Sequence, residues 1–575
     1  MMKAINTALL LLVALPSLAS AQAADPRVGL KAGIHDAGQA ARGLKLIATQ
    51  PRPAGFDPSG TQPGFGNSDL AFQGHYVIQG NYAGFKFWDV SNPAKPVMRN
   101  SILCPGNQGD PSVYGNLLFI SIQATSARLD CGDQGVVDTV SAERFRGVRI
   151  YDISDIANPK VVASVQTCRG SHTHTLVTRP GDRENVYVYV SGTSAVRSGR
   201  ELAGCSGARP EEDPNTSLFR IEVIQVPLSA PQNARVVNAP RLFADASGNV
   251  AGLWRGGDHG AGTQNTRETN MCHDITAYPD LGLAAGACSG NGILLDIRDP
   301  ANPVRISEVS DPNFAYWHSA TFNNDGTSIL FTDEWGGGSA PRCRATDRAE
   351  WGANAIYHLN NGVMTPASFF KIPAAQTEHE NCVAHNGSLI PVPGRDLFVQ
   401  SWYQGGISII DFTDPAKPFE VAFFDRGPMS NERLIQAGHW SAYWYNGYVY
   451  GSEIARGLDV LELVPTEHLS QNEINAAKEV RMAEFNPQLQ PKIVWTPSFT
   501  VARAYLDQLV RGSGLPQART TQVASELTRT ERLSGAAQRA ALTKLAVDLD
   551  REAAGSGDPV RVRALARVVR ELSVR

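Results

Sequence analysis

The chain has 575 residues, with 52 Lys and Arg against 56 Asp and Glu, a formal net charge of −4 and 19% charged residues. This balance argues against a nucleic-acid or anionic-membrane partner, both of which need a strongly basic surface. Its 42% hydrophobic residues suffice for a large buried core, and its 53 Gly and 35 Pro follow no short period, which argues against a collagen-like or disordered chain.

The first residues have the pattern of a secretory signal peptide. Lys3 precedes an apolar run that includes Leu9–Val13, and the small residues of Ala19–Ala23 follow Pro16. We expect residues 1–23 to be removed on export, which predicts a secreted or periplasmic protein. No later stretch reaches the roughly 18 to 20 uninterrupted apolar residues that a membrane span needs, so none is expected.

Four segments of the chain repeat one pattern, in which Gly is followed by an apolar run, Asp, and an Asn-Pro or Asp-Pro turn. β-Branched and aromatic residues favour strands, whereas Asp, Asn and Pro close the turn that follows. Such a unit has an apolar face that it can bury only against copies of itself. The four segments are Gly84–Pro96, Gly147–Pro159, Gly292–Pro303 and Gly406–Pro418.

Two further strands joined by a tight turn precede each repeat, as at Leu70–Phe72 and Tyr76–Gln79. Four antiparallel strands form one blade of a β-propeller. Weaker copies at Leu218–Val226, Ala355–Leu359 and Leu458–Leu463 bring the units to seven. The sequence therefore predicts an all-β fold, a seven-bladed β-propeller.

The two ends of this propeller are predicted to meet. Gly43–Gln50 resembles the outermost strand of a blade whose other three strands lie between Gly438 and Leu463. We expect this strand to close the ring, which leaves no edge strand exposed. The predicted propeller domain spans residues 24–465.

The repeated strand–Asp–turn signature resembles that of the LVIVD-repeat family of exported or surface β-propellers. The resemblance covers roughly residues 40–465, most of the chain. It implies the propeller fold and an exported location. It implies little about chemistry, because propellers host unrelated activities.

Beyond Pro465 the pattern becomes helical. Ser470–Glu473 has the form of a capping box, and Asp558–Pro559 has the form of a helix start. Apolar residues recur at helical spacing between and after them. We predict a linker with a short helix at residues 466–497 and an all-α C-terminal bundle at residues 498–575, whose Arg-rich face we interpret as a solvated face of a packing or spacer module.

Histidines recur at the start of the first strand in five successive repeats. The first strand of a blade lines the central channel, so we expect these side chains to converge at one mouth of the channel. Several neutral imidazoles aimed at one point bind a transition metal, and iron, copper and zinc all suit such a site. The predicted ligands are His174, His273, His318, His385 and His439.

Other polar residues lie beside these histidines or at the matching positions of the first two repeats. Carboxylates next to metal-bound imidazoles orient the rings by accepting the second N–H. The predicted orienting or alternative ligands are His172, Asp69, Asp110, Glu334, Glu378 and Glu453. The alternative interpretation is that each histidine hydrogen-bonds a neighbouring blade and that the five copies reflect repeat ancestry.

Eight cysteines in an exported chain without a CxxC motif predict disulfides rather than a thiolate metal site. Four lie in connections that enter a repeat, and four lie in or beside loops between the second and third strands, which emerge on the same face. The predicted pairs are Cys104 with Cys131, Cys168 with Cys205, Cys272 with Cys288, and Cys343 with Cys382. Long loops tied down over one mouth usually line a binding site.

These features predict an exported propeller that binds a ligand at its loop-rich mouth. The favoured hypothesis is a transition-metal site that supports a redox or hydrolytic reaction on a small molecule. The alternative is a non-catalytic extracellular or periplasmic scaffold or adhesion module that binds a protein or a glycan through the same loops. A GxSxG nucleophile elbow is absent from the sequence, so a serine hydrolase has no support.

Overall fold

The structure is a computed structural model that describes residues 25–56 and 66–574. The predicted signal peptide lies outside these residues. Within them, seven antiparallel sheets of four or five strands follow one another along the chain, and their first strands pack against each other around a central channel. The predicted seven-bladed β-propeller is confirmed.

The strands of the first four blades run from the channel outward in chain order. Blade 1 contains Asn67–Gln73, Tyr76–Asn81, Gly84–Asp89 and Val97–Leu103. Blade 2 contains Gln108–Tyr114, Leu117–Ile122, Gly147–Asp152 and Lys160–Gln166. Blade 3 contains Thr173–Val177, Asn185–Ser191, Glu222–Pro227 and Arg235–Asn238. Blade 4 contains Ile275–Tyr278, Leu283–Cys288, Asn291–Asp296 and Val304–Val309.

The last three blades complete the ring. Blade 5 contains Trp317–Phe322, Ser328–Asp333, Asn354–Asn360 and Val363–Phe370. Blade 6 contains Gly387–Ile390, Leu397–Ser401, Ile407–Asp411 and Phe419–Arg426. Blade 7 contains His439–Tyr445, Tyr448–Glu453 and Gly457–Leu463. Short 3-10 turns occur at Pro231–Asn233 and Pro279–Leu281. A short hairpin pairs the two-residue strands Gly257–Asp258 and Asn265–Thr266.

The amino-terminal segment closes the ring as predicted. Strand Leu44–Pro51 pairs antiparallel with Gly457–Leu463 and becomes the outermost strand of blade 7. The preceding strand Gln39–Arg42, which was not predicted, pairs with Phe419–Arg426 and widens blade 6 to five strands. Because the two amino-terminal strands pair with the last two blades, the propeller cannot open without breaking these ladders.

The repeated Asp at the end of the third strand has a local cause. In each of the four repeats its carboxylate accepts a hydrogen bond from the backbone N–H two residues later, which stabilises the turn toward the outermost strand. The four pairs are Asp89 with Ser91 at 2.9 Å, Asp152 with Ser154 at 2.9 Å, Asp296 with Arg298 at 3.0 Å, and Asp411 with Thr413 at 2.8 Å.

Residues 480–497, which we call the strap, run around the end of the channel opposite the histidines. The predicted linker here is an ordered element that touches every blade. Its contacts are with the ends of the first strands or the turns that follow them, whereas the histidines lie at the starts. They include Tyr445 with Met482, Gly74 with Ala483, Val113 with Asn486, Ala277 with Gln488, Phe322 with Gln490, and Pro391 with Trp495. Leu489 packs against the apolar cluster of blades 2 and 3 that contains Leu176. Glu484–Phe485 also adds a short strand to blade 1.

Helices flank the strap on both sides. Helix α1 (Gln471–Glu479) precedes it and begins with the predicted Ser470–Glu473 capping box. The C-terminal bundle consists of α2 (Phe499–Arg511), α3 (Gln517–Glu531), α4 (Gly535–Ala553) and α5 (Pro559–Ser573).

A buried ion network attaches the helices to the propeller. The Glu473 carboxylate contacts Arg395 at 3.0 Å and Arg511 at 2.7 Å, and Arg395 also contacts Asp411 at 2.6 Å.

None of the helices in the described part of the chain has both the length and the apolar character needed to span a bilayer.

Candidate metal centre

Four imidazoles from four consecutive blades lie side by side at the loop-rich mouth. The ring centroids of His172 and His273 are 4.5 Å apart, those of His273 and His318 are 3.8 Å apart, and those of His318 and His385 are 4.3 Å apart. The last three side chains are buried. The convergence predicted from the repeats is therefore present for His273, His318 and His385, with His172 as a fourth member.

Glu334, which follows the second strand of blade 5, lies between two of these rings. Its Oε2 atom is 3.6 Å from Nε2 of His318, and its Oε1 atom is 3.6 Å from Nε2 of His385. The hydroxyl of Tyr403 donates a hydrogen bond of 2.6 Å to Oε1. One donor atom each from His273, His318 and Glu334 lie within 4.8 Å of one another.

The hydrogen bonds of two rings determine which nitrogen faces the cluster. Nδ1 of His385 donates to the carbonyl oxygen of Trp440, so Nε2 carries a lone pair toward Glu334. Nδ1 of His273 lies 3.0 Å from Oδ1 of Asp274, which orients that ring in the same way. In metal-bound histidines, a carboxylate or carbonyl typically accepts the N–H of one ring nitrogen, which leaves the lone pair of the other nitrogen to bind the metal.

Burial sets the charges of the cluster. It lowers the pKa of His273 and of His385 to about 3, and it also lowers the pKa of His318, so these rings are neutral near pH 7. Burial raises the pKa of Glu334 to about 8. Neutral imidazoles are the form that binds a metal, and a cation between them would favour the ionised carboxylate.

His318 is the least satisfied polar side chain of the cluster. It is fully buried, yet neither ring nitrogen has a hydrogen-bond partner within the described part of the chain. Buried polar groups are normally paired, because an unpaired one loses its hydration without compensation. Nitrogen and oxygen donors about 2.1 Å from one ion are about 3.4 Å apart in tetrahedral geometry, close to the separations seen here.

The structure does not bring His174 and His439 into this cluster. Nδ1 of His174 lies 2.7 Å from Oγ of Ser121 in blade 2. Nε2 of His439 donates a hydrogen bond of 2.9 Å to Asp459, which also forms a salt bridge with Arg426. These contacts direct the His174 ring toward the neighbouring blade 2 and the His439 ring toward its own sheet rather than toward the shared mouth. For these two, the expectation of five converging rings is wrong, and the alternative of contacts between and within blades applies.

The other predicted ligands have separate environments. Asp69 and Asp110 are buried in the channel, where the backbone N–H of Asp69 lies 3.4 Å from Oδ1 of Asp110. Burial raises the pKa of Asp69 to about 6 and raises that of Asp110 as well. Glu378 is an exposed loop residue. Glu453 accepts backbone hydrogen bonds from Gly438 and Ala455 and so orders the start of blade 7.

Some residues of the centre were not identified from the sequence. Asp274 directly follows His273, and that adjacency is the one signal that could have indicated its orienting role. Tyr403 lies in the turn between the second and third strands of blade 6. It contacts Glu334 only because blade 6 packs on blade 5. No pattern in the sequence marks it.

A cavity of about 530 Å³ opens over this cluster. All four predicted disulfides are confirmed, and they tie the surrounding loops: Cys104–Cys131, Cys168–Cys205, Cys272–Cys288 and Cys343–Cys382. Four disulfides suit an oxidising compartment. The cavity lining includes Tyr82, Arg267, Tyr316, Trp335, Arg342 and Trp440.

No family model matches this chain, and no curated protein does. Among solved structures, the periplasmic gluconolactonase of Pseudomonas aeruginosa aligns with 69% of this chain and 100% of its own at 11% identity and a TM-score of 0.42. Hydrazine synthase of Kuenenia stuttgartiensis aligns with 72% of this chain and 99% of its own at 12% identity and a TM-score of 0.43. Similarity at this level transfers no activity to the chain.

Proposed function

We propose that this chain is an exported metalloenzyme that holds one transition-metal ion at the loop-rich mouth of its propeller and acts on a small molecule in the cavity above it. The ligands are His273, His318, His385 and Glu334, with His172 beside them. Membership of the LVIVD-repeat family belongs to the same proposal and rests on the four repeated strand–Asp–turn segments.

One observation carries the proposal: in the buried mouth, Nε2 of His318 and Nε2 of His385 face the Glu334 carboxyl at 3.6 Å, and no hydrogen bond joins either ring to it. Nε2 of His385 must be unprotonated because Nδ1 donates to Trp440, and Glu334 lies 3.6 Å away. His318 faces the same carboxylate at the same distance and has no hydrogen-bond partner within the described residues. An ion bound among these atoms gives Nε2 of both rings and the Glu334 carboxylate a common partner.

The residues of the proposed site are of two kinds, those that bind the metal and those that orient the ligands. His273, His318, His385 and Glu334 supply the donor atoms, Asp274 and the Trp440 carbonyl hold two rings in orientation, and Tyr403 holds the carboxylate. Bound there, iron, copper or zinc supplies Lewis acidity, and iron or copper also supplies redox chemistry. The 530 Å³ cavity is large enough for a small organic substrate.

The proposal is tested by measuring the metal content of protein exported and purified with its disulfides intact. We expect about one ion per chain in the wild-type protein and a large loss in His318→Ala and in the double variant His273→Ala/His385→Ala. His174→Ala is the matched control, because His174 has the equivalent strand position but lies outside the cluster.

Unchanged metal content in the His318 and double variants contradicts the proposed site. Absence of metal from the wild-type protein, even after incubation with each of the three metals, favours the non-catalytic scaffold instead. Circular dichroism of every variant verifies that the propeller is intact.

A further inference from the structure

The cavity over the histidine cluster is lined by two arginines, Arg267 and Arg342. Arg267 follows the short hairpin before blade 4, and Arg342 belongs to the long insertion of blade 5. Each lies close in sequence to a disulfide, Cys272–Cys288 and Cys343–Cys382 respectively. The disulfides therefore restrain the loops that present these two positive charges to the cavity.

Both guanidinium groups are held against aromatic rings of the same cavity. Arg267 lies over the Tyr316 ring at 5.0 Å, and Arg342 lies over the Trp335 ring at 3.9 Å. Stacking on an aromatic face restricts the guanidinium plane while leaving its N–H edge available for a ligand. The two side chains are thus partly ordered before any ligand arrives.

Neither arginine forms a salt bridge with another described residue. In addition, the buried Nε of Arg342 has no hydrogen-bond partner among the described residues. Two other arginines of the loop-rich face, Arg144 and Arg197, are both paired with Glu201. Two cations with no described carboxylate at salt-bridge distance, in a cavity that also contains the cluster, indicate a site for an anion.

We infer that the substrate of the proposed metal site is a small organic carboxylate, bound by Arg267 and Arg342. The planar fork of a guanidinium matches a carboxylate in geometry and charge. The aromatic rings of Tyr82, Tyr316 and Trp440 provide contact surface for the rest of the molecule. This inference rests on the proposed function for the reaction, but the anion subsite can be tested without metal.

The experiment titrates the full chain with benzoate and with its neutral analogue benzamide, following tryptophan fluorescence and confirming the affinities by calorimetry. It is done on metal-loaded protein and on protein treated with a chelator. We expect benzoate to bind at least 10-fold more tightly than benzamide in both forms. The double variant Arg267→Gln/Arg342→Gln is expected to lose at least 10-fold in benzoate affinity while its metal content stays unchanged.

Arg209→Gln is the matched control. Arg209 also lies over an aromatic ring, that of Phe219, but it is paired with Glu268 and does not line this cavity. Its substitution should leave benzoate affinity unchanged.

Three results would overturn the inference: no benzoate binding to the wild-type protein, equal affinity for benzamide, or unchanged affinity in the double arginine variant. Any of these with normal metal content leaves the metal site standing. Arginine-dependent benzoate binding in a protein that takes up no metal supports the anion subsite and refutes the proposed metalloenzyme.

Discussion

Glu334→Gln should stabilise the metal-free protein and reduce the stabilisation that metal provides. In the metal-free protein, burial raises the pKa of Glu334 to about 8, against about 4.5 when unfolded. Below about pH 4.5 both states are protonated and there is no penalty. As the pH rises from 4.5 to 8, the unfolded chain releases this proton while the folded chain retains it, so folded stability falls.

The magnitude follows from that interval. Between the unfolded pKa of about 4.5 and pH 7 there are roughly 2.5 pH units over which only the unfolded carboxyl is ionised. Over this interval the folded state loses about 3 kcal/mol of stability. Glutamine keeps an oxygen that can accept from Tyr403 but has no proton to release. Metal-free Glu334→Gln should therefore be more stable than the metal-free wild type by about 3 kcal/mol at pH 7, and no more stable near pH 4.

Metal acts in the opposite sense. An ion between Glu334, His318 and His385 stabilises the ionised carboxylate and the folded state together. The variant loses an anionic ligand, so its stability should rise less on addition of metal than that of the wild type. The neighbouring histidines titrate in both proteins, and their contribution cancels in the comparison.

The assay is urea unfolding at pH 4, 6 and 7.5, with a chelator and with excess metal. Glu380→Gln is the control, because Glu380 is a buried glutamate whose pKa burial also raises, but it binds Thr377 away from the cluster. It should not alter the response to metal. The reasoning is refuted if metal-free Glu334→Gln is no more stable than the wild type at pH 7.5, or if its advantage is equally large at pH 4.

Three further predictions concern stability and are also measured by urea unfolding. Alanine at both Asn486 and Gln490 should destabilise the protein by about 2 to 4 kcal/mol, because each amide bonds the backbone N–H and C=O of a residue in a first strand. Serine at both Cys343 and Cys382 should cost up to about 4 kcal/mol, since that disulfide closes a 39-residue separation. Asp396→Asn should stabilise the protein by about 3 kcal/mol at pH 7 and not at pH 4, because burial raises the pKa of Asp396 to about 6 and the folded state loses stability as the pH rises toward that value.

Each of these has its own comparison. Gln522→Ala removes an amide that is exposed on helix α3 and should change stability little. Removal of Cys272–Cys288, with a 16-residue separation, should cost up to about 3 kcal/mol, less than the longer loop. Equal stability of the Asn486/Gln490 double variant and the wild type would mean that the strap does not support the propeller, and a pH-independent effect of Asp396→Asn would exclude ionisation as its cause.

The seven blades, the closure of the ring by the amino-terminal strand and the four disulfides could all be predicted from the amino-acid sequence. These features depend on signals that are local or that repeat. The residue preferences within each Gly–strand–Asp–turn segment indicate a strand followed by a turn, and the number of copies indicates the number of blades. The cysteines could be paired because two kinds of connection must emerge on the same face of every blade.

Which histidines meet depends on how the blades pack and could not be predicted from the repeats. His174 and His439 have the same place in their repeats as His273 and His385, but a shift in the direction of a side chain turns the ring toward a neighbouring blade or its own sheet. Glu334, Tyr403 and the two cavity arginines come from turns and insertions outside the repeat pattern. Their contacts depend on how consecutive blades pack and on where the disulfides hold the loops, which no spacing in the sequence expresses.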